Sequence, residues 1–127
     1  IEHKAIIHGI YRIYPVKIRE NGDVLRHYGF EVLSAKLDGK DTPYSVTEEG
    51  YTAGVAMGDP ESKAPRGSHT YELTYRTTGH VRFLPARDEI YYNVTGNFWK
   101  FPIEHVSFTL ELPGGASPEA VTAFTRL

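Results

Sequence analysis

The sequence predicts an all-β fold, an antiparallel β-sandwich in a single domain that covers residues 1–127. Short segments alternate apolar and polar residues with a period of two, as half-buried strands do. Gly, Pro, Asn and Asp cluster between these segments, and no segment keeps the 3.6-residue period of an amphipathic helix. A chain of 127 residues is long enough to bury a core without disulfides. The chain contains no cysteine, so it can form none.

The N-terminal part is rich in β-branched residues. Two short strands, or one strand bent at Pro15, are predicted over residues 5–19. Asn21-Gly22 lies between strand-like flanks and predicts a hairpin turn, because both residues tolerate positive φ. Between Tyr28 and Leu37 the apolar phase slips by one residue, which predicts a β-bulge or a change of sheet.

The middle of the chain predicts more short strands separated by turns. Asp38-Gly39-Lys40 has turn chemistry, and residues 58–67 are rich in Gly, Pro and charge, which is typical of a surface loop. Further strands are predicted at residues 43–47, 52–57, 69–76 and 80–84.

The stretch from Asp88 to Pro102 combines aromatic, amide and acidic side chains more densely than any other part of the chain. A strand is predicted over residues 89–95, followed by a turn at Gly96-Asn97. The face expected toward the core carries Ile90, Tyr92 and Val94, and the face expected toward water or a ligand carries Glu89, Tyr91, Asn93 and Thr95.

Two interpretations of this stretch stay open. Its aromatic residues can fill one end of the sandwich core, as most large aromatic residues do. Alternatively, the outward side chains form a recognition platform, in which aromatic rings pack on a ligand while amide and carboxylate groups fix its orientation. The predicted binding residues are Glu89, Tyr91, Asn93, Asn97 and Trp99.

The C-terminal part predicts two more strands. Alternation over residues 106–112 is clear and ends at Pro113-Gly114-Gly115. A last strand is predicted through residues 121–124, with a short helix beginning at Ser117 as the alternative.

Composition argues against several classes of function. A net charge of −2, with no run of Lys and Arg, argues against a nucleic-acid partner. The absence of cysteine excludes thiolate chemistry, and no two histidines have the close spacing of a local metal site. No cofactor or metal is therefore predicted. No serine lies in the Gly-x-Ser-x-Gly context of a hydrolase nucleophile.

Several sequence pieces in order resemble one known family. They are Gly9-Ile10-Tyr11-Arg12 with Pro15, Gly58-Asp59-Pro60, Gly67-Ser68-His69-Thr70-Tyr71 with Tyr75, residues 89–97 through Trp99, Pro102 and Ile103, and Leu112-Pro113. With these pieces the chain resembles the predicted bacterial membrane proteins grouped as domain of unknown function 2207. It departs from the family pattern at Tyr92, where tryptophan is usual.

The resemblance implies a protein with a cleavable signal peptide, an extracytoplasmic β-rich domain, membrane helices and a glycine-rich tail. This chain would then be the extracytoplasmic domain, clipped at both ends, and missing edge strands would leave a sheet edge open. The family brings no known activity, so no catalytic residue is carried over from it.

We therefore expect a non-enzymatic extracytoplasmic interaction or sensory domain, tethered to the membrane by segments outside this chain. It would bind a protein partner or a cell-envelope saccharide through the five binding residues. The enzyme alternative is a cell-wall hydrolase or transferase with Asp88 or Glu89 as acid or base and His69 or His80 beside it. A third alternative is a structural spacer.

Overall fold

The computed structural model describes residues 9–20, 24–59, 61–96, 99 and 101–124. These residues form an antiparallel all-β fold, which confirms the predicted fold class. The strands are β1 (Ile10–Pro15), β2 (Lys17–Glu20), β3 (Val24–His27), β4 (Gly29–Leu37), β5 (Lys40–Asp41), β6 (Tyr44–Glu49), β7 (Thr52–Met57), β8 (Tyr71–Thr78), β9 (Val81–Phe83) and β10 (Asp88–Ile90). A 3₁₀ turn covers Pro113–Gly115. In this described part, no helix has the length and apolar character needed to cross a membrane.

Two three-stranded sheets form the two layers of the sandwich. One has the strand order β1-β7-β6 and the other β5-β4-β8. Tyr14, Val55 and Met57 of the first sheet pack against Ala35 of the second, and apolar residues of β4 and β8 surround this cluster. The cluster is small, and the two inner faces exclude water from it by packing together.

The slip in apolar phase between Tyr28 and Leu37 is a β-bulge, as predicted. Val32 pairs with Tyr75 and Ser34 pairs with Thr74, so Leu33 is the extra residue. Phe30 and Val32 pack on the core before the bulge, and Ala35 packs on it after the bulge. The inserted residue reverses the alternation, so both halves of β4 face the same core.

The predicted bend at Pro15 separates β1 from β2. Both Val16 and Lys17 donate their backbone N–H to the carbonyl oxygen of Tyr51, at 2.8 and 3.1 Å. The chain therefore turns away from the β1-β7 ladder, and β2 pairs with β3 in the predicted hairpin. Residues 21–23, where the hairpin turn was predicted, lie outside the described residues.

The predicted strands of the middle region are confirmed as β6, β7, β8 and β9. β8 shows the predicted alternation, with half-buried and exposed side chains in turn from Tyr71 to Thr78. At the start of β1, a Cβ on Gly9 would overlap the carbonyl oxygen of Met57, and φ is +148°. Glycine is therefore needed where the chain enters the first sheet.

The two C-terminal strand predictions are wrong. Residues 106–112 and 121–124 pair with no strand, and no helix begins at Ser117. Val106, Phe108 and Leu110 are exposed. Alternation of apolar residues specifies which side chains share a face, but a strand also needs a neighbour for its ladder, and the described residues provide none here.

Candidate functional site

The central stretch begins as a strand and then leaves the sheet. β10 pairs with β9 through Asp88↔Phe83, Glu89↔Arg82 and Ile90↔Val81. Residues 91–96 form no ladder, so the prediction of a strand as far as residue 95 is wrong beyond Ile90.

Side chains replace the missing ladder in this segment. The Asn93 carboxamide oxygen accepts the Gly96 N–H at 3.0 Å. The Val94 carbonyl oxygen accepts a hydrogen bond from Arg12 Nη2 at 2.8 Å, and the Thr95 carbonyl oxygen accepts one from Trp99 Nε1 at 2.7 Å. Backbone polar groups need partners, and these three bonds supply them without a neighbouring strand.

The predicted faces of the stretch are partly correct. Tyr92 and Val94 are half-buried, and Tyr91 and Asn93 are exposed, as expected, but Glu89 and Thr95, also expected outward, are half-buried. Ile90, expected in the core, is exposed instead. As far as the structure describes the chain, the core cluster includes no residue of β9 or β10, and the prediction of a buried Ile90 is wrong.

Arg12 links two sequence pieces that lie far apart in the chain. Its Nη2 bond to Val94 spans 82 residues. The guanidinium carbon lies 4.5 Å from the centre of the Tyr14 ring, in a cation–π contact. A Cβ on Gly96, where φ is +77°, would come within 3.4 Å of Arg12 Nε. The turn at Gly96 is therefore packed directly against the arginine head.

A small cleft lies at this junction. Its walls come from residues 12–15 of β1, from Phe30 of β4, from Tyr75 and Thr77 of β8, and from His80, Tyr92, Asn93 and Gly96. The enclosed cavity measures about 30 Å³. A single water needs roughly 10–15 Å³ on this measure, so the cavity has room for a small group rather than a sugar ring.

Two buried polar atoms at the cleft have no hydrogen-bond partner of good geometry among the residues that the structure describes. They are Nε of Arg12 and the hydroxyl oxygen of Tyr14. Tyr14 is only 5% exposed. Burial raises the pKa of Tyr14 to about 12, despite the opposing charge of Arg12. The tyrosine is therefore a neutral hydroxyl at physiological pH.

His80 forms the other polar wall of the cleft. Its ring stacks on Tyr28 at 4.3 Å between centroids and meets the edge of Tyr92 at 5.3 Å. Its Nε2 lies 3.0 Å from the Thr77 hydroxyl. Burial, with the nearby charge of Arg26, lowers the pKa of His80. The imidazole is therefore biased toward its neutral form.

Of the predicted binding residues that the structure describes, Asn93 lines the cleft, whereas Glu89, Tyr91 and Trp99 do not. Tyr91 is 52% exposed, and the Arg82 guanidinium lies 5.2 Å from the centre of its ring. Glu89 forms an ion pair with Arg87 at 3.5 Å.

Trp99 is half-buried, and its ring centroid lies 5.4 Å from that of Phe101. Its indole N–H is already satisfied by Thr95, so the ring edge is fixed. Asn97 lies outside the described residues.

Of the residues of the enzyme alternative, His80 alone lines the cleft. Asp88 is exposed on β10, and neither it nor Glu89 lines the cleft. His69 is held elsewhere, with Nδ1 2.6 Å from Asp38 Oδ2 and Nε2 2.6 Å from the Arg66 carbonyl oxygen. Across the described ranges, no three His, Asp or Glu side chains group closely enough to hold a metal ion.

Sequence reasoning missed Arg12 and Tyr14 as members of a site. Their spacing on β1 carries no motif of known chemistry, and their connection to residues 92–96 is purely tertiary. The signal available in the sequence was the Gly-Ile-Tyr-Arg piece itself, which places an arginine within an apolar strand, where such a charge needs a partner.

Comparison with known proteins found a relative and a family. The chain is 26% identical over 110 residues to the uncharacterized protein YciQ of Escherichia coli (strain K12). That alignment covers 86% of this chain but 17% of the length of YciQ. No solved structure was found to match. A family model described as the N-terminal domain of a predicted membrane protein (DUF2207) matches residues 1–127, and the chain belongs to that family.

Proposed function

We propose that the chain is a non-enzymatic interaction domain on the extracytoplasmic side of a bacterial membrane protein. It binds a protein partner through the β9-β10 surface, which consists of Phe83 and Ile90 on one face of the hairpin and of Glu89 and Tyr91 on the other. Asn97 and Trp99 follow directly in the chain and extend the predicted site.

The observation that carries this function is the exposure of aromatic and apolar side chains on β9-β10. Phe83 is 80% exposed, and Ile90 on the paired strand and Tyr91, the residue after that strand, are also exposed. Aromatic residues that stand out from a surface and are rimmed by polar groups are typical anchors of protein interfaces. Asp88, the cross-strand partner of Phe83, and Arg82, whose guanidinium lies over the Tyr91 ring, supply such a rim.

The geometry favours binding over catalysis. An acid or base catalyst is expected in a cleft with other titratable groups, where burial tunes its pKa. Asp88 is exposed instead, and Glu89 forms an ion pair with Arg87 at 3.5 Å. A protein partner is favoured over a saccharide because Phe83 and Ile90 offer no polar group to hydroxyls, while they suit an apolar contact.

Photo-crosslinking in cells tests this surface. The photoreactive amino acid p-benzoyl-phenylalanine replaces Tyr91 in the full-length protein, and in a matched control it replaces Tyr44, an exposed tyrosine on β6 of the other sheet. We expect a discrete protein adduct from position 91 and none from position 44. Equal adducts at both positions, or none at either, would contradict a protein partner at this surface.

The saccharide alternative has its own readout. Trp99 is the single tryptophan of the chain, so its fluorescence reports on the segment beside Tyr91 without interference. A saturable shift in its emission on addition of soluble cell-wall fragments, lost in Tyr91→Ala, would identify a saccharide ligand instead. An unchanged emission agrees with a protein partner.

The position relative to the membrane is tested by thiol labelling. The chain contains no cysteine, so Lys63→Cys in the exposed loop after β7 introduces one reactive site. We expect a membrane-impermeant maleimide to label this variant of the full-length protein in intact cells. The unsubstituted protein is the control, and labelling only after lysis would place the domain on the other side.

A further inference from the structure

We propose that the cleft at Arg12, Tyr14 and Asn93 receives a carboxylate group presented by a ligand from outside the domain. This site is separate from Phe83 and Tyr91, and it stands or falls independently of the β9-β10 surface.

Arg12 gives the cleft a positive charge. Arg12 is half-buried, and its Nε is fully buried. Within the described part of the chain, no carboxylate pairs with this guanidinium and none lines the cleft. Burying a cation is costly unless an anion or several acceptors compensate it. The Val94 carbonyl and the Tyr14 ring compensate only part of the charge.

Arg12 and Tyr14 also supply the cleft with hydrogen-bond donors. Arg12 Nε–H is buried at the cleft without an acceptor among the described residues, and the buried Tyr14 hydroxyl has the Tyr75 hydroxyl beside it but no acceptor of good geometry. Tyr14 is 5% exposed, and its raised pKa keeps its proton available. A carboxylate has two acceptor oxygens and no donor, so it complements a guanidinium N–H beside a hydroxyl.

The volume of the cavity also favours a carboxylate. A cavity of about 30 Å³ holds roughly two to three water-sized groups. This volume suits the two oxygens of a planar carboxylate better than a tetrahedral phosphate with four. The remainder of the ligand would stay outside, where Tyr92 and Asn93 form the rim.

The Arg12 Nε–H resonance in a ¹H–¹⁵N spectrum of the 127-residue chain gives a direct readout. Arg12→Lys identifies this resonance by its loss. Sodium acetate is titrated against sodium chloride at constant ionic strength, and sodium phosphate is titrated in a parallel series. We expect a saturable shift of the Arg12 resonance with acetate only. The exposed Arg76 is the internal control, and its resonance stays in place.

Two variants sharpen the result. Tyr14→Phe keeps the ring that packs on Phe30 and Tyr75 but removes the hydroxyl, so the fold is retained while acetate affinity falls roughly tenfold. Tyr44→Ala, at an exposed residue of β6, leaves acetate affinity unchanged. An unchanged affinity in Tyr14→Phe, an equal response to all three anions, or a parallel shift of every arginine would each contradict the carboxylate site.

Competition identifies the source of the carboxylate. N-acetylalanine represents a peptide carboxylate, and glucuronate represents an acidic sugar. We expect one of them to displace acetate at a lower concentration than the other and to give the same saturation of the Arg12 shift. If neither displaces acetate, the cleft holds only a free anion and the inference of a ligand-borne carboxylate is wrong.

Discussion

The region from β1 to β8 and the region after it satisfy their backbone groups in different ways. In the first, ladders join β1, β7 and β6, and β5, β4 and β8, and the core lies between the two sheets. In the second, the β9-β10 ladder covers three residue pairs, and side chains supply the bonds of residues 93–96. Apolar residues beyond this segment stay exposed.

We expect this difference to separate the residues that determine stability from those of the proposed binding surface. The first region buries the side chains that hold the fold together. The second displays aromatic residues on a segment that Arg12 ties to the first region. Surfaces positioned by a rigid scaffold but not built into its core are where binding residues concentrate. We therefore expect substitutions in the first region to alter stability and substitutions in the second to alter local order.

The largest loss of stability is expected from a substitution in the core. Met57 is 6% exposed and lies in the core cluster, so Met57→Ala should lower the free energy of unfolding by about 2–5 kcal/mol. Leu110→Ala, at a residue 48% exposed, should change it by less than about 0.5 kcal/mol. Urea denaturation measures both. Similar costs for the two variants would remove the distinction between the regions.

A smaller loss of stability is expected when the contacts of Arg12 that link the two regions are removed. Arg12→Ala removes a charged hydrogen bond to Val94 and the contact with Tyr14, at a cost of about 2 kcal/mol. Because Trp99 bonds to the neighbouring Thr95, its emission should shift to the red and iodide should quench it more strongly.

The control for this link is Arg76→Ala. Arg76 is exposed and only 4.0 Å from Glu31, so the variant should change stability by less than about 0.5 kcal/mol and leave Trp99 emission unchanged. An Arg12→Ala protein with wild-type Trp99 quenching would show that residues 91–96 hold their conformation without the arginine.

The features that the sequence predicted well are those set by local chemistry. The bend at Pro15, the bulge after Val32 and the alternation of β8 each depend on residues within a few positions of one another. Propensity and periodicity report such features directly.

The features that could not be predicted depend on distant partners. The conformation of residues 91–96 depends on Arg12, and the Asp38 carboxylate, at a turn that was predicted, finds its partners His69 and Thr70 31 and 32 residues further along the chain. The alternation of residues 106–112 was real, but no pattern within a segment tells whether another strand lies beside it. The candidate cleft was missed for the same reason.

The smallest expected effect concerns the pH dependence of the first region. His69 places one ring nitrogen on Asp38 and the other on the Arg66 carbonyl, and both partners accept hydrogen bonds. The imidazole must donate from both nitrogens, so these bonds, that to Asp38 first, raise the pKa of His69 above 6.5. A raised pKa stabilises the fold below the unfolded value, and this contribution is lost as the pH rises through the folded value.

The pKa of Asp38 sets the lower pH limit of this stabilisation. Its carboxylate accepts the Thr70 N–H as well as the His69 bond, which lowers its pKa below 3.8. Its contribution is therefore present above pH 3.8 and is lost as the pH falls through the lowered value. Between these limits both partners are charged, so the pair stabilises the fold most from about pH 4 to pH 6.5.

Thermal unfolding at pH 5.5 and pH 8.5 tests this pair. His80 acts in the opposite direction, because burial lowers its pKa and favours folding as the pH rises. The comparison is therefore made between the wild type and His69→Gln, with His105→Gln at an exposed position as the control. We expect His69→Gln to lower the melting temperature more at pH 5.5 than at pH 8.5. An equal loss at both pH values would mean that His69 is held by packing alone and that its charge contributes nothing to the fold.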